Sequence, residues 1–182
     1  IIDLGEKDGA GGTYVLLEAG ATWSGLMKGV SGFETEQGGD VTFLPGSEIA
    51  QLSGEGTTFT FEGGATINGD VSGDGNVYSF STKAGDVTLI AGDLDLGTGS
   101  STSGGTPGSP VTVQGDGVVG PGSNLGGNFH IQGNLFLEGS FGPGNSPGVI
   151  SVGGDYVSGD PLAGGRVTLM GRARKSERAT AR

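Results

Sequence analysis

Cysteine is absent from the 182 residues, and histidine and tryptophan occur once each. Without cysteine the fold has no disulfide framework and no thiol chemistry, and a chain without stray thiols suits export. The single histidine, His130, excludes a cluster of histidine metal ligands, and the sequence fixes no base or nucleophile beside it. No apolar run approaches the roughly 20 residues of a membrane helix, and no basic and apolar leader opens the chain. Because the chain begins at Ile1 without methionine, we expect it to be a piece of a longer product.

Basic residues are scarce and unevenly placed. Nine Lys and Arg face 20 Asp and Glu, and the formal net charge is −11. Only four of the nine basic residues lie within residues 1–171, namely Lys7, Lys28, Lys83 and Arg166. An acidic body repels nucleic acid and anionic lipid, so we expect no nucleic-acid partner. Residues 172–182 are interpreted as a basic, disordered tail that follows a single domain of residues 1–171.

Glycine is abundant, and apolar residues recur between the glycines in a regular way. The 42 Gly and 7 Pro approach the composition of low-complexity chains, but disordered chains lack apolar residues in register. Here two apolar residues flank one small or polar residue in eight triplets: Val41-Thr42-Phe43, Phe59-Thr60-Phe61, Tyr78-Ser79-Phe80, Leu94-Asp95-Leu96, Val111-Thr112-Val113, Phe129-His130-Ile131, Ile150-Ser151-Val152 and Val167-Thr168-Leu169. The steps in sequence number from one triplet to the next are 18, 19, 16, 17, 18, 21 and 17. A period near 18 predicts an all-β fold, a parallel β-helix (β-solenoid) with about 18 residues per coil.

Three further expectations concern the arrangement of the coils. The flanking residues of the triplets should stack inside, and the eight central residues should form one outer ladder. Residues 1–40 are predicted to form irregular first coils because Trp23 and Phe33 are out of step, and Trp23 is expected to be packed and not to serve as a sugar-stacking platform. Residues 97–110 contain no apolar side chain larger than proline, which predicts a flexible loop that replaces the other walls of one coil.

One short stretch is a weak candidate for calcium binding. Asp70, Ser72 and Asp74 supply oxygens at the first, third and fifth positions of a loop that resembles the start of an EF-hand, with Gly75 at the sixth. The twelfth position is Ser81, which cannot supply the bidentate carboxylate of that motif. We therefore predict a turn here and no cofactor, with weak calcium binding as the alternative.

Many β-helical proteins cleave polysaccharides, and an enzyme of this kind is the alternative to a scaffold. Such sites need carboxylates clustered on one outer face, which would recur at the coil period. Asp70, Asp86 and Asp93 do not recur at that period, and the body has few basic residues to hold an anionic sugar. The sequence thus favours a protein that is not an enzyme and has no catalytic residues.

The stretch from Gly117 to Val157 carries a family resemblance. Its order of strand, PGNSPG, strand and GDY resembles the passenger regions of bacterial autotransporters and related exported β-helical repeat proteins. The most specific part is a predicted turn at a coil corner, formed by Gly142, Pro143, Gly144, Asn145, Ser146, Pro147 and Gly148.

The resemblance implies a right-handed β-helix that is exported to the bacterial cell surface or beyond, where it acts as an adhesin stalk or passenger scaffold. Its implied partners are a translocating outer-membrane barrel in the parent protein and a glycan, host or neighbouring-cell surface. Similar repeats occur with other C-terminal anchors, so the route of export stays open.

Overall fold

The computed structural model describes residues 14–142, 149–158, 166–169 and 173–175, the last two ranges by their backbone alone. These residues form strands joined by short corners and contain no helix. The strands in chain order are β1 (Tyr14–Leu17), β2 (Thr22–Gly25), β3 (Gly32–Gln37), β4 (Asp40–Phe43), β5 (Ser47–Ile49), β6 (Leu52–Glu55), β7 (Thr58–Phe61), β8 (Ala65–Ile67), β9 (Val71–Asp74), β10 (Val77–Phe80), β11 (Thr88–Ile90), β12 (Leu94–Leu96), β13 (Ser101–Gly104), β14 (Val111–Val113), β15 (Gly117–Val119), β16 (Asn124–Gly126), β17 (Phe129–Ile131), β18 (Leu135–Leu137), β19 (Ser140–Gly142), β20 (Val149–Val152), β21 (Tyr156–Ser158), β22 (Arg166–Leu169) and β23 (Ala173–Lys175).

The strands stack into three parallel sheets that wrap around one core. Sheet A has nine strands in the order β1-β3-β6-β9-β12-β15-β18-β21-β23, sheet B has seven in the order β2-β4-β7-β10-β13-β16-β19, and sheet C has seven in the order β5-β8-β11-β14-β17-β20-β22. From β3 to β21 the chain visits A, B and C in turn, so each of these coils has an A–B, a B–C and a C–A corner. This arrangement is a β-solenoid of about seven turns, and it confirms the fold class predicted from the triplets.

Alternation along each strand fills the core. In β7, Phe59 and Phe61 are fully buried, whereas Thr58 and Thr60 point outward and are partly exposed. Because the side-chain period of a strand is two, every in-register coil repeats this division. The interior is a continuous column of apolar side chains from the first to the last fully described coil.

Aromatic rings stack along the inner face of sheet B. The ring centroids of Phe43 and Phe61 are 5.0 Å apart and those of Phe61 and Phe80 are 4.9 Å apart, with nearly parallel planes. The position below Phe80 is Gly104, which has no ring to continue the stack. Phe129 enters from sheet C and meets Phe80 edge-on at 6.0 Å. Contacts of this kind add about 0.5–1.5 kcal/mol each beyond the burial of their area.

Coil length is not uniform. The register partner of Val41 is Phe59 and that of Phe59 is Tyr78, which are steps of 18 and 19 in sequence number. The next step, from Tyr78 to its partner Thr102, is 24. The stacking survives because the additional residues lie outside the strands.

Most of the extra residues lie at the B–C corner. Residues 62–64 connect β7 to β8, whereas the longer segments 81–87 and 105–110 connect β10 to β11 and β13 to β14. The two long corners are joined, since the Gly85 N–H donates to Ser109 Oγ at 2.9 Å. Thr82 Oγ1 donates to the Ser109 carbonyl at 3.4 Å.

The prediction of one outer ladder is wrong, because the triplets belong to three sheets. The triplets centred on Thr42, Thr60 and Ser79 lie in sheet B, and the triplet centred on Asp95 lies in sheet A. Sheet C contains the other four, centred on Thr112, His130, Ser151 and Thr168. Each coil offers up to three such triplets, so counting from one to the next passes between faces.

The prediction that residues 97–110 form a loop without walls is also wrong. Ser101–Gly104 is strand β13, which pairs with β10 and β16 and completes sheet B. Thr102 points into the core and is 4% exposed, and its Oγ1 lies 3.0 Å from both the N and the O of Gly126. A hydroxyl takes the inward place that Val41, Phe59, Tyr78 and Leu125 hold in the other coils of sheet B.

The two ends of the predicted domain also differ from expectation. From residue 14 the first coils are in register, with Val15 beside Phe33 and Trp23 beside Val41, although β3 has an irregularity between Thr35 and Gln37. At the other end β23 extends sheet A, so the expected boundary at residue 171 does not hold for residues 173–175. Residues 1–13 and 176–182 lie outside the described residues.

Candidate functional site

The C–A corner carries a polar ladder. Five coils repeat an apolar residue, any residue, Gly, and then Asp or Asn, and the last positions are Asp70, Asp93, Asp116, Asn134 and Asp155. The Oδ1 of each of the first four accepts the backbone N–H of the equivalent residue one coil below, at N to Oδ1 distances of 2.9, 2.7, 2.7 and 2.8 Å. Hydrogen bonds to a carboxylate are about twice as strong as neutral ones. We call these five residues the corner ladder.

Glycine before each lower member makes room for the ladder. A Cβ built on Gly92 would overlap Asp70 Oδ1, and one built on Gly115 would overlap Asp93 Oδ1. The tight Gly-Asp pair therefore has a structural cause in the coil above it.

Sequence reasoning missed the corner ladder because it searched for a single period near 18. Asp70, Asp93 and Asp116 recur at a sequence separation of 23, since their coils include the long B–C corners. Asp86, which was compared with Asp70 and Asp93 as a possible site carboxylate, does not belong to the ladder. It lies in one of the long B–C corners, where its carboxylate accepts the Lys83 N–H at 2.7 Å. The recurring Gly-Asp and Gly-Asn pairs are the signal that could have found the ladder.

A second ladder lies inside the A–B corner and consists of Thr57, Asn76, Ser100 and Ser123, all buried. We call it the inner ladder. The backbone N–H of each of the first three donates to the side-chain oxygen one coil below, at 2.9, 3.1 and 2.8 Å. The lower side chains also donate upward to strand-end carbonyls, as Asn76 Nδ2 does to Gly54 at 2.7 Å. Buried corner groups are satisfied in this way by other protein groups.

Tyr78 joins the inner ladder. Its hydroxyl accepts from Asn76 Nδ2 at 3.0 Å and donates to the Ser72 carbonyl at 3.1 Å. Burial raises the pKa of this phenol well above its ordinary value, so it remains a neutral donor at physiological pH.

The calcium candidates lie on a strand and not in a loop. Val71–Asp74 is β9, so Asp70, Ser72 and Asp74 alternate along extended backbone and span about 13 Å. Asp70 Oδ1 accepts the Asp93 N–H, and Asp74 Oδ1 accepts the Thr98 N–H at 2.5 Å. Ligands of one calcium ion must all approach within about 2.3–2.6 Å, which this spacing does not allow. The predicted turn is equally absent.

Sheet A has an acidic outer face around these residues. A shallow open groove of about 390 Å³ is lined by Glu34, Glu36, Glu55 and Asp74 among others. Beside it, burial and then the charges of Asp74 and Asp93 raise the pKa of Asp95. Among the described residues, no group of three Asp, Glu or His side chains is arranged to hold a metal ion.

The outer faces of sheets B and C are mostly hydroxyl-bearing. On sheet B, Thr42, Thr60 and Ser79 are register neighbours and partly exposed. On sheet C, the Nδ1 of the half-buried His130 lies 2.7 Å from Ser151 Oγ. His130 therefore does lie on an outer polar face as expected, and its hydrogen bond to Ser151 is an addition that the sequence does not reveal.

Trp23 is packed, as predicted. It is half-buried, and its ring lies 5.9 Å from that of Phe33 and 5.5 Å from that of Phe43. The predicted turn from Gly142 to Gly148 falls between β19, which ends at Gly142, and β20, which begins at Val149. Its residues Pro143, Gly144, Asn145, Ser146, Pro147 and Gly148 lie outside the described residues.

Comparison of the chain with protein-family models, with curated proteins and with solved structures finds no match. In the part of the chain that the structure describes, no helix has the length and apolarity needed to span a membrane.

Proposed function

We propose that this chain is a non-enzymatic structural rod, an adhesin stalk or passenger scaffold of an exported protein. The observation that carries the proposal is the use made of its polar side chains. In both ladders, carboxylates, amides and hydroxyls that could bind or react are engaged in holding one coil to the next. Polar groups committed to backbone contacts serve cohesion of the stack.

The dimensions support a role as spacer. Nine parallel strands in sheet A, at about 4.8 Å per strand, give a rod of about 38 Å along its axis. Such coils contact only their neighbours, so a rod of this kind can be lengthened by adding coils without changing the existing ones. Reach set by coil number is what a stalk needs.

The proposed location is the bacterial cell surface or the extracellular space, with an outer-membrane barrel translocating the parent protein. The resemblance of residues 117–157 to autotransporter passengers supports it. A glycan, host or neighbouring-cell surface is the proposed partner of the whole protein, and the hydroxyl-rich face of sheet B is suited to hydrogen bonding with neutral sugars.

Deleting one coil tests the scaffold proposal. Removing residues 70–92 joins Gly69 to Asp93 and preserves the corner motif, so the shortened chain should remain folded and β-rich. As a control, removing residues 71–80 deletes β9 and β10 but keeps β8 and β11, so one coil loses its sheet A and sheet B strands, and cooperative unfolding should be abolished. Circular dichroism and chemical denaturation report both outcomes. Equal damage from the two deletions would contradict a rod of independent coils.

Cell-surface exposure is tested separately. An antibody raised against the chain should label intact, unpermeabilised cells of the source organism. Labelling that appears only after permeabilisation would rule out the proposed location.

The acidic groove on sheet A favours one second candidate, a carbohydrate-active β-helix enzyme. Glu34 and Glu55 line the same groove, and paired carboxylates carry out glycoside hydrolysis. Incubation with neutral and acidic polysaccharides should give no new reducing ends if the chain is a scaffold. Cleavage that is lost in both Glu34→Gln and Glu55→Gln, with the fold unchanged, would establish the enzyme instead.

A further inference from the structure

The corner of the coil that contains Asn68 and Gly69 differs from the corners below it. In the lower coils the glycine N–H donates to a backbone carbonyl one coil above, as Gly92 does to Gly69 and Gly115 does to Gly92, both at 3.1 Å. The Gly69 N–H has no such acceptor among the described residues.

The cause is a missing residue in the coil above. Only Ala50 and Gln51 connect β5 to β6, whereas three residues form each of the lower C–A corners that the structure describes. The shorter corner provides one carbonyl fewer, so the Asn68 N–H is bonded to Ile49 at 2.7 Å and the next N–H, that of Gly69, has no backbone acceptor among the described residues.

The residue before this free amide is the only asparagine that precedes a glycine in the whole sequence. The Asn68 side chain is exposed and has no hydrogen bond among the described residues, and Gly69 has no side chain to hinder approach to its nitrogen. The equivalent positions two and three coils below are Gln114 and Gln132, which are also exposed but carry the longer amide.

We propose that Asn68-Gly69 is a site of spontaneous covalent modification, where Asn68 is converted through a succinimide to aspartate and isoaspartate. The Gly69 nitrogen loses its proton and attacks Asn68 Cγ, a N–Cγ bond forms, and the Cγ–Nδ2 bond breaks with release of ammonia. Water then opens the ring. Cleavage of the N–Cγ bond gives aspartate, and cleavage of the bond from the nitrogen to the Asn68 backbone carbonyl carbon gives isoaspartate.

The unpaired N–H is what distinguishes this corner. An amide that donates a hydrogen bond must break it before the nitrogen can attack, and a hydrogen bond of ordinary net strength corresponds to a rate factor of up to about tenfold. Isoaspartate places one additional backbone carbon in the corner immediately before Asp70, the first member of the corner ladder. Either product adds a negative charge beside that carboxylate.

The matched control is Gln114→Asn, which places asparagine before Gly115 in an equally exposed corner whose N–H is paired. The folded wild type and Gln114→Asn proteins are aged at mildly alkaline pH, digested, and analysed by peptide mass spectrometry with separation of isoaspartate. In the folded variant Asn68 should be modified several-fold to about tenfold faster than the asparagine introduced at position 114, and in denaturant the two rates should be equal. Asn68→Gln should abolish the modification.

Equal rates at the two sites in the folded protein would overturn the proposal that the unpaired amide directs the reaction. So would an Asn68 that stays intact while the introduced asparagine converts. Circular dichroism of Gln114→Asn establishes that the two rates are compared within one fold, and Gln132→Asn, whose following Gly133 N–H is paired at 3.0 Å, serves if that variant does not fold.

Discussion

Asn76 is the residue whose replacement should test the inner ladder most severely. Its side chain is fully buried, its Oδ1 accepts the Thr57 N–H at 2.9 Å, and its Nδ2 donates to the Gly54 carbonyl at 2.7 Å. Asn76→Leu keeps a similar volume but leaves both backbone groups unsatisfied. Each such group costs about 1–3 kcal/mol, so the free energy of unfolding should fall by about 2–6 kcal/mol. That is a large share of the roughly 5–15 kcal/mol that stabilises a typical domain.

The chain provides its own conservative control for this substitution. Ser100 occupies the next position of the inner ladder, where its Oγ accepts the Asn76 N–H at 3.1 Å and donates to the Gly73 carbonyl at 3.0 Å. Asn76→Ser should therefore restore both roles and lose mainly the contact with the Tyr78 hydroxyl, at a cost of about 1–2 kcal/mol.

Guanidinium denaturation followed by circular dichroism and by fluorescence gives both values. The single tryptophan, Trp23, is packed against Phe33 and Phe43 and reports on the first coils, whereas circular dichroism reports on the whole rod. If Asn76→Leu lies within about 1 kcal/mol of the wild type, or if Asn76→Ser is the more damaging of the two, the inner ladder does not hold the A–B corner by the hydrogen bonds described above.

Three further predictions concern the core, the corner ladder and the acidic face. Phe61→Asp places a charge in the core and should lower the free energy of unfolding, measured by chemical denaturation, by several kcal/mol. Thr60→Asp faces outward and should lower it by no more than about 1 kcal/mol. Similar losses in the two variants would contradict the assigned orientation of β7. Asp93→Ala removes the acceptor of the Asp116 N–H and should cost about 1 kcal/mol, whereas Asp93→Asn keeps it, so a larger loss in the Asn variant would count against the ladder. Because the pKa of Asp95 is raised in the folded state, the folded protein holds this proton more tightly than the unfolded chain, and the free energy of unfolding should rise as pH falls through that raised pKa. Asp95→Asn should stabilise the protein at neutral pH and weaken the pH dependence of the free energy of unfolding. If this pH dependence, measured by chemical denaturation, is the same in Asp95→Asn as in the wild type, the raised pKa does not belong to Asp95.

The fold class could be predicted because inward alternation leaves a mark in the sequence. Triplets such as Phe59-Thr60-Phe61 record a strand with one face in an apolar core, whatever sheet it belongs to. The division of the strands into three sheets could not be predicted, because a triplet has the same pattern in every sheet. From Tyr78 to Leu94 to Val111 the count passes from sheet B to A to C, and the apparent steps of 16 and 17 are fractions of longer coils.

Positions where polar residues face the core could not be predicted from hydrophobic pattern. The inward place of Thr102 depends on a carbonyl and an N–H of Gly126 one coil below, which is information about stacking and not about local sequence. Gly73 is similar. It interrupts the β9 pattern with a φ of 135°, and a Cβ there would meet the Gly54 carbonyl and Asn76 Nδ2, so its neighbours in space dictate the residue.

The corner ladder could be predicted only in part from the sequence, because it too depends on how the coils stack. Gly-Asp pairs resemble turns or calcium loops when taken singly, and their cohesive role appears only when Asp70, Asp93 and Asp116 are placed one above another. Their spacing depends on corners elsewhere in the coil.

The long B–C corners show where this protein can change without rebuilding. Residues 81–87 and 105–110 lengthen their coils while β10, β11, β13 and β14 keep their register partners on both sides. The length of the B–C corner can therefore change without a change in strand pairing. Foreign peptides grafted there would be presented in a row at coil spacing. Because all B–C corners lie along one side of the rod, the distance between two grafted peptides could be chosen by the number of coils between them.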